Sequence, residues 1–310
     1  MEVNTIYPGD CLKKHEHIDN GIVDLILTDP PYGIIKDADL GKHDTSWDEI
    51  ISPKQIFNIS NRILRRNGRL VLFGNEPFTS QIITSAIPNL PFSYRMIWLK
   101  DQPAFSMYIG CKKRPMSYFE DIVVFKKKHS TTGAHPLRDY SRKVFEFMGV
   151  RKQDIKNRLG HQKWVHFFQF DGANNLQFSL CTKETYQELI EVFGIDKMQG
   201  FKTYQELRKI DKKFDSVFNL PEGKKYKSNV LEYSKDYDGY HPTQKPVALL
   251  EDLIKTYTNE GDLVVDLTMG SGSTGVACVN TNRNFIGIEM EDKYYKIAKD
   301  RVDSVQQNLL

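Results

Sequence analysis

Apolar residues in the first 125 positions fall into short runs separated by stretches with helical spacing. Val23-Asp24-Leu25-Ile26-Leu27-Thr28 reads as a buried strand ending at a Pro-Pro turn, and Arg69-Leu70-Val71-Leu72-Phe73-Gly74 as a second strand. Between them the spacing predicts a helix. Ser52 is its N-cap, Pro53 its first position and Gln55 stands three residues after the cap; Ile56, Ile59 and Ile63 share one face, and Asn67-Gly68 reads as the stop. Pro77 to Ala86 predicts another helix, and Tyr94 to Leu99 and Asp121 to Phe125 further strands. The last third repeats the alternation: helix over Pro246 to Tyr257, strand over Leu263 to Leu267, helix over Thr274 to Asn280, strand over Asn284 to Ile288, and a closing helix over Glu291 to Val302. Such alternation implies an α/β fold with a mainly parallel sheet covered on both faces, shared by the two ends of the chain.

The middle of the chain is different. Lys126-Lys127-Lys128-His129-Ser130-Thr131-Thr132-Gly133 is a charged exit, and strand signals are then sparse apart from Trp164 to Phe170. A short echo, Thr185-Tyr186-Gln187-Glu188-Leu189 and Thr203-Tyr204-Gln205-Glu206-Leu207, predicts two short helices separated by a turn at Gly194-Ile195-Asp196 and a linker. The pair invites a helix-turn-helix reading, but simple packing of two Tyr/Leu helices is the commoner arrangement.

Composition narrows the class. The 310 residues can bury one large α/β domain plus a further module. No apolar run approaches the roughly 18 residues of a membrane span, and Met1 to Ile6 shows no secretory pattern, so a cytoplasmic protein is expected. Cys11, Cys111, Cys181 and Cys278 lie far apart without metal-type spacing, which points to reduced thiols and no metal site. The net charge of +3 is unevenly spread: Lys126 to Lys235 holds 22 Lys and Arg against 13 Asp and Glu, a net of +9, leaving −6 elsewhere. That suits a polyanion-binding insert, and a solvated basic surface accounts for it equally well.

Three segments carry candidate chemistry. Thr28-Asp29-Pro30-Pro31-Tyr32-Gly33 follows a strand, where open parallel sheets bind ligands. The prolines fix the turn; Asp29 offers a carboxylate, the Pro30 carbonyl a neutral acceptor and Tyr32 a flat face for an extruded base. The amine of a nucleobase is a poor nucleophile because its lone pair is delocalised, and accepting both its protons localises that pair toward an electrophile. The second segment, Asp266-Leu267-Thr268-Met269-Gly270-Ser271-Gly272-Ser273-Thr274, is a glycine-rich turn between strand and helix, and Glu289 ends the next strand about 20 residues on, as a ribose-binding acid does. The spacing is not that of a full dinucleotide fingerprint. In the third, Tyr240-His241-Pro242-Thr243-Gln244-Lys245-Pro246, Lys245 at a helix start can hold a carboxylate while His241 and Gln244 brace the turn. Each segment alone is also an ordinary turn.

Together, and in this order, the three segments resemble the beta class of amino-methylating DNA methyltransferases, over about residues 3 to 125 and 238 to 303. The resemblance implies a Rossmann-like methyltransferase fold: a mainly parallel seven-stranded sheet with helices on both faces, one antiparallel strand at the edge, and an inserted recognition region. Its divisions would be 1–125 for the catalytic half, 126–235 for the basic insert and 236–310 for the cofactor half. Asp29, Pro30, Pro31 and Tyr32 are the implied catalytic residues. S-adenosylmethionine is the implied cofactor, met by Asp10, Cys11, Asp29, His241, Thr243, Lys245, Pro246, Asp266, Gly270, Ser271, Gly272, Ser273, Thr274, Glu289 and Met290, with no metal. Met269 and Thr268 depart from the residues the family usually carries there. The implied reaction is direct in-line methyl transfer to a flipped base in double-stranded DNA. N6 of adenine is favoured because Asp heads the tetrapeptide, where Ser more often accompanies N4 of cytosine. Cytosine N4 methylation, an RNA adenine substrate and a non-catalytic nucleic-acid-binding protein remain the rivals. A homodimer and a cognate restriction endonuclease are partners left open, in a bacterial, archaeal or phage-infected cell.

Overall fold

The strand signals at the two ends of the chain converge on one sheet, of eight strands among the described residues. The computed structural model describes residues 1–33, 50–102, 115–131, 135, 137–169, 178–212, 214–236, 240 and 244–307. In chain order the strands are β1 (Thr5–Pro8), β2 (Val23–Thr28), β3 (Leu64–Gly74), β4 (Phe92–Leu99), β5 (Phe119–Lys126), β6 (Val230–Glu232), β7 (Leu263–Asp266) and β8 (Asn284–Glu289), arranged side by side as β1-β8-β7-β2-β3-β5-β4-β6. Every pairing is parallel except β5 with β3 and with β4. The expected seven strands are therefore eight. The reversed strand β5 is third from one end and not at the edge, because β4 and β6 extend the sheet beyond it.

The helices are α1 (Cys11–Lys14), α2 (Pro53–Ile63), α3 (Phe78–Thr84), α4 (Leu137–Met148), α5 (Lys152–Leu159), α6 (Lys183–Phe193), α7 (Tyr204–Lys212), α8 (Val247–Tyr257), α9 (Ser273–Asn280) and α10 (Asp292–Gln307). Alternate strand residues go to opposite faces, as a period of two requires. Leu25, Leu27, Val71, Phe73 and Ile122 pack with Leu250, Leu253, Ile254, Ala277 and Val302 of α8, α9 and α10. Ile26, Leu70, Leu72 and Val123 pack with Ile56, Phe57, Ile59, Phe78 and Ile82 of α2 and α3. Each fully buried side chain of this kind contributes about 1.5–3 kcal/mol.

α2 begins as its sequence predicts: the Ser52 hydroxyl accepts from the Gln55 amide and the Gln55 side chain accepts from the Ser52 amide. Its end is earlier than expected. The helix stops at Ile63, where the buried Lys127 ammonium donates to the Asn61 and Leu64 carbonyls. Asn67-Gly68 instead forms an irregularity inside β3: the register with β2 slips between Val23↔Leu64 and Leu25↔Arg69, Asn67 adopts φ 66°, and a Cβ on Gly68 would lie 3.0 Å from the Asp24 carbonyl.

The chain forms two compact units, Met1–Lys128 with Val217–Leu310, and His129–Ser216. The second is helical. Its core gathers Leu137, Tyr140 and Val144 of α4, Ile155 of α5, Tyr186 and Leu189 of α6 and Leu207 of α7. The echoed motifs do mark two helices; Gly194 caps α6 in a left-handed conformation, φ 63°. The apolar run at Trp164 is no strand. It turns tightly, with the Phe167 and Phe168 amides donating to the Trp164 carbonyl, and buries Trp164, Phe167 and Phe168 in that core.

Candidate active site

Strands β2 and β7 are neighbours, yet β2 leads through α2 to β3 on one side while β7 leads through α9 to β8 on the other. At such a switch point the connections diverge and leave a crevice beyond the carboxyl ends of the strands. A cavity of about 860 Å³ opens there, lined by the turn after β2, the turn after β7, Asp10 and Glu289, and by Lys100, Glu120 and Lys245.

The turn after β7 is wired mainly to itself and to the neighbouring strand ends. Asp266 is buried; one oxygen accepts from Thr28 Oγ1 (2.8 Å) and the Thr268 amide (3.0 Å), the other from Thr274 Oγ1 (2.6 Å). Burial pushes its carboxyl up to about 6 despite these donors. Glu289 accepts from the Gly270 amide (2.7 Å) and the Glu291 amide (2.8 Å), and burial raises its carboxyl as well.

The two glycines have separate causes. Gly270 has φ 56° and lines the cavity, with no atom nearer its would-be Cβ than the Thr268 carbonyl at 4.0 Å. Gly272 has φ 85°, and a Cβ there would stand 2.9 Å from Ala298 Cα on α10; it answers to helix packing. Ser271, Ser273, Thr274 and Met290 line the cavity. At the end of β1, Asp10 caps α1 by accepting from the Leu12 amide (2.8 Å), and burial raises the Cys11 thiol to about 12, which leaves it unreactive.

The turn after β2 depends on distant residues. Pro30 and Pro31 line the cavity with Asp29. Tyr32 donates its hydroxyl to one Asp29 oxygen, and its ring lies 5.2 Å from that of Phe78. The other Asp29 oxygen accepts from Lys245, whose ammonium also stands 3.2 Å from Glu120 and 5.0 Å from the Phe73 ring centre. Thr268 Oγ1 donates to the Asp29 carbonyl (3.0 Å), joining the two turns. Burial raises the Asp29 carboxyl against the pull of Lys245. Burial alone would raise Glu120 too, but Lys245 and Lys100 hold it below the usual range, and the two carboxylates carry the buried Lys245 above its own.

Of the residues expected to meet the cofactor, His241 and Thr243 lie outside the described residues, and Pro246 is buried at the start of α8. Lys245, expected to face a ligand carboxylate, is engaged with Asp29 and Glu120. Glu120 and Lys100 carried no sequence signal, since nothing local marks a strand-end acid as the partner of a lysine so far along the chain.

Residues 23–300 match the family model described as DNA methylase, which covers N6 and N4 amino-methyltransferases. The chain belongs to this family. The DNA methylase is 28% identical to DNA adenine methyltransferase YhdJ of Escherichia coli K12, covering 97% of this chain and 83% of the relative. Its fold is shared with the crystal structure of an M1.HpyAVI–SAM complex (TM-score 0.54, 23% identity, 96% of this chain and 98% of that one) and with the cytosine-N4-specific PvuII DNA methyltransferase (TM-score 0.52, 14% identity, 98% and 92%). The family's methyl donor is S-adenosylmethionine.

Proposed function

We propose that this DNA methylase acts on N6 of adenine, with Asp29 and the Pro30 carbonyl accepting the two amine protons and Tyr32 stacking on the flipped base. The observation that carries this reading is Asp29 itself: a carboxylate at the end of β2, with its side chain 23% exposed, held by Tyr32 and Lys245 across the cavity from the Gly270 turn. Support for adenine comes from the Asp that heads the tetrapeptide and from the adenine methyltransferase of Escherichia coli.

The cavity fits S-adenosylmethionine in the donors and acceptors it presents: room above Gly270, carboxylates at Asp10, Asp266 and Glu289, and a buried Gln244 Nε2 that has no partner among the described residues. When bound, the cofactor supplies an activated methyl group on a sulfonium. Glu289 would hold its ribose, and the Gly270 to Ser273 backbone would take its close approach. Asp29 orients the amine lone pair and accepts the proton released once the nitrogen has been alkylated.

Expression in a methylation-free host followed by mass spectrometry of DNA nucleosides tests the reading. N6-methyladenine is the expected product; N4-methylcytosine would move the activity to the other base of the family, and no modified base from folded protein would sink the proposal.

The unit His129–Ser216 holds 15 Lys and Arg against 11 Asp and Glu, and we assign it the grip on DNA phosphates. The rest of the basic segment is placed differently. β6 runs parallel to β4, so Lys224 and Lys225 precede it at the amino-terminal side of the sheet, away from the cavity, and Lys227 pairs with Asp252 of α8. Exchanging the exposed Lys143, Lys152 and Lys156 for Gln should lower DNA affinity and flatten its salt dependence by about three ions' worth. The same exchange at Lys224 and Lys225 should do neither.

A further inference from the structure

Lys100 just after β4, Glu120 near the start of β5, Lys245 before α8 and Asp29 after β2 form a connected row of two ammonium groups and two carboxylates. Lys100, Lys245 and Glu120 are buried, with side chains 5%, 7% and 12% exposed; all four line the cavity, and Asp29, at 23%, is the most exposed of them. Four charges gathered at one spot are poor value for folding, because apolar side chains of similar volume stabilise a core as well or better. The arrangement has a chemical use instead. A lysine paired with Asp29 alone would keep it ionised but would also occupy it, whereas a lysine shared with a second carboxylate holds each more loosely.

Resting on the reading that Asp29 accepts the base amine, we propose that Glu120 is a positioning residue that acts through Lys245: it divides the ammonium between two carboxylates, so that Lys245 holds Asp29 loosely enough for an oxygen already met by one donor to accept from the amine as well. The groups that face Asp29 are Lys245, Glu120 and the Tyr32 hydroxyl, with Asp266 beyond; Lys100 and Lys235 face Glu120 from the other side.

The two partners of Asp29 pull its titration in opposite directions. Removing Glu120 leaves Lys245 to Asp29, which becomes more acidic and less available; removing Lys245 leaves Asp29 beside Glu120 without a cation, which makes it less acidic. Single-turnover methyl transfer from S-adenosylmethionine to unmethylated genomic DNA, followed against pH with the full chain, reads this directly. Glu120→Gln should lower the plateau rate about tenfold or more, the size of a misplaced charged hydrogen bond, and move the acid limb to lower pH. Lys245→Met should move the limb to higher pH, and Glu120→Asp should restore part of the rate. Calorimetric affinity of Glu120→Gln for S-adenosylmethionine should stay within a few-fold.

Slower variants with unmoved acid limbs would show that the set is structural and overturn the proposal, as would a wild-type rate for Glu120→Gln. Circular dichroism and melting of each variant separate misfolding from mispositioning, and Glu120→Asp keeps the charge should the Gln variant fail to fold. An active Asp29→Ala would instead overturn the underlying reading of Asp29; an inactive Asp29→Ala with unmoved limbs in the other two variants overturns the Glu120 proposal alone.

Discussion

The turn after β2 and the turn after β7 lie side by side, and each holds a carboxylate over the same cavity by different means. Asp266 is satisfied by neutral donors: an amide and a hydroxyl from its own turn, and the hydroxyl of Thr28 on the next strand. Asp29 is met by a phenol three residues on and by an ammonium from the far end of the chain, itself shared with Glu120. Neutral, local donors make a carboxylate part of the scaffold, because losing any one leaves a buried group unsatisfied. A shared cation makes a carboxylate exchangeable, able to trade one partner for another at little cost. On the proposed reading, two acids of identical chemistry thereby serve framework and reaction.

The sharpest way to break this contrast is to remove each acid. Asp29→Ala should cut methyl transfer by about 10³-fold or more while S-adenosylmethionine affinity, by calorimetry, stays within about tenfold; turnover within a few-fold of wild type would mean that Asp29 is framework as well. Asp266→Asn should act on stability. The folded carboxyl of Asp266 titrates near 6 against an ordinary value of 3.8, so between these values the folded chain binds a proton that the unfolded chain does not. Stability should therefore fall as pH rises from about 4 to 6, by about 2–3 kcal/mol, and denaturant titrations of Asp266→Asn should show that slope reduced.

The glycines of the β7 turn sharpen the same division. Gly272→Ala should destabilise the chain by about 1–3 kcal/mol through overpacking against α10, with cofactor affinity altered only as far as folding is. Gly270→Val should weaken S-adenosylmethionine binding beyond what the strain of its left-handed φ of 56° costs in melting, since its side chain enters the cavity and not the core. Equal effects of the two on binding would erase the distinction. The smallest effect belongs to Tyr32→Phe, which keeps the stacking face and loses the hydroxyl on Asp29; a rate within about tenfold of wild type is expected, with Tyr32→Ala lower. An inactive, folded Phe variant would make the hydroxyl the principal contribution of Tyr32.

What the sequence could disclose follows from where each signal resides. β2, β7, β8 and α8 were legible because whole runs such as Leu25-Ile26-Leu27 and Val264-Val265 are buried, and α2 because its cap, its proline and its isoleucines agree. β6 was not: three residues, only Leu231 of them buried, carry no periodicity, and the strand exists because β4 offers an edge. Asn67-Gly68 looked like a helix stop because a left-handed residue serves a bulge and a helix end equally well. Trp164 to Phe168 looked like a strand because an apolar run says that residues are buried, without saying in what backbone form. The two turns were visible as motifs, whereas the Lys100–Glu120–Lys245 set exists only once β4, β5 and α8 have met.

The hydroxyl of Thr268, which donates to the Asp29 carbonyl and stands 2.8 Å from Thr28 Oγ1, makes the two turns one mechanical piece. On the proposed reading, a ligand that settles the glycine turn thereby also settles the backbone of Asp29, and a base docked at Asp29 settles the glycine turn. Coupling free energy is symmetric between two ligands: the factor by which bound cofactor tightens the hold on a flipped base is the factor by which that base tightens the hold on cofactor. The enzyme would then retain its methyl donor most firmly when a target is in place, and the departure of either product would loosen the hold on the other.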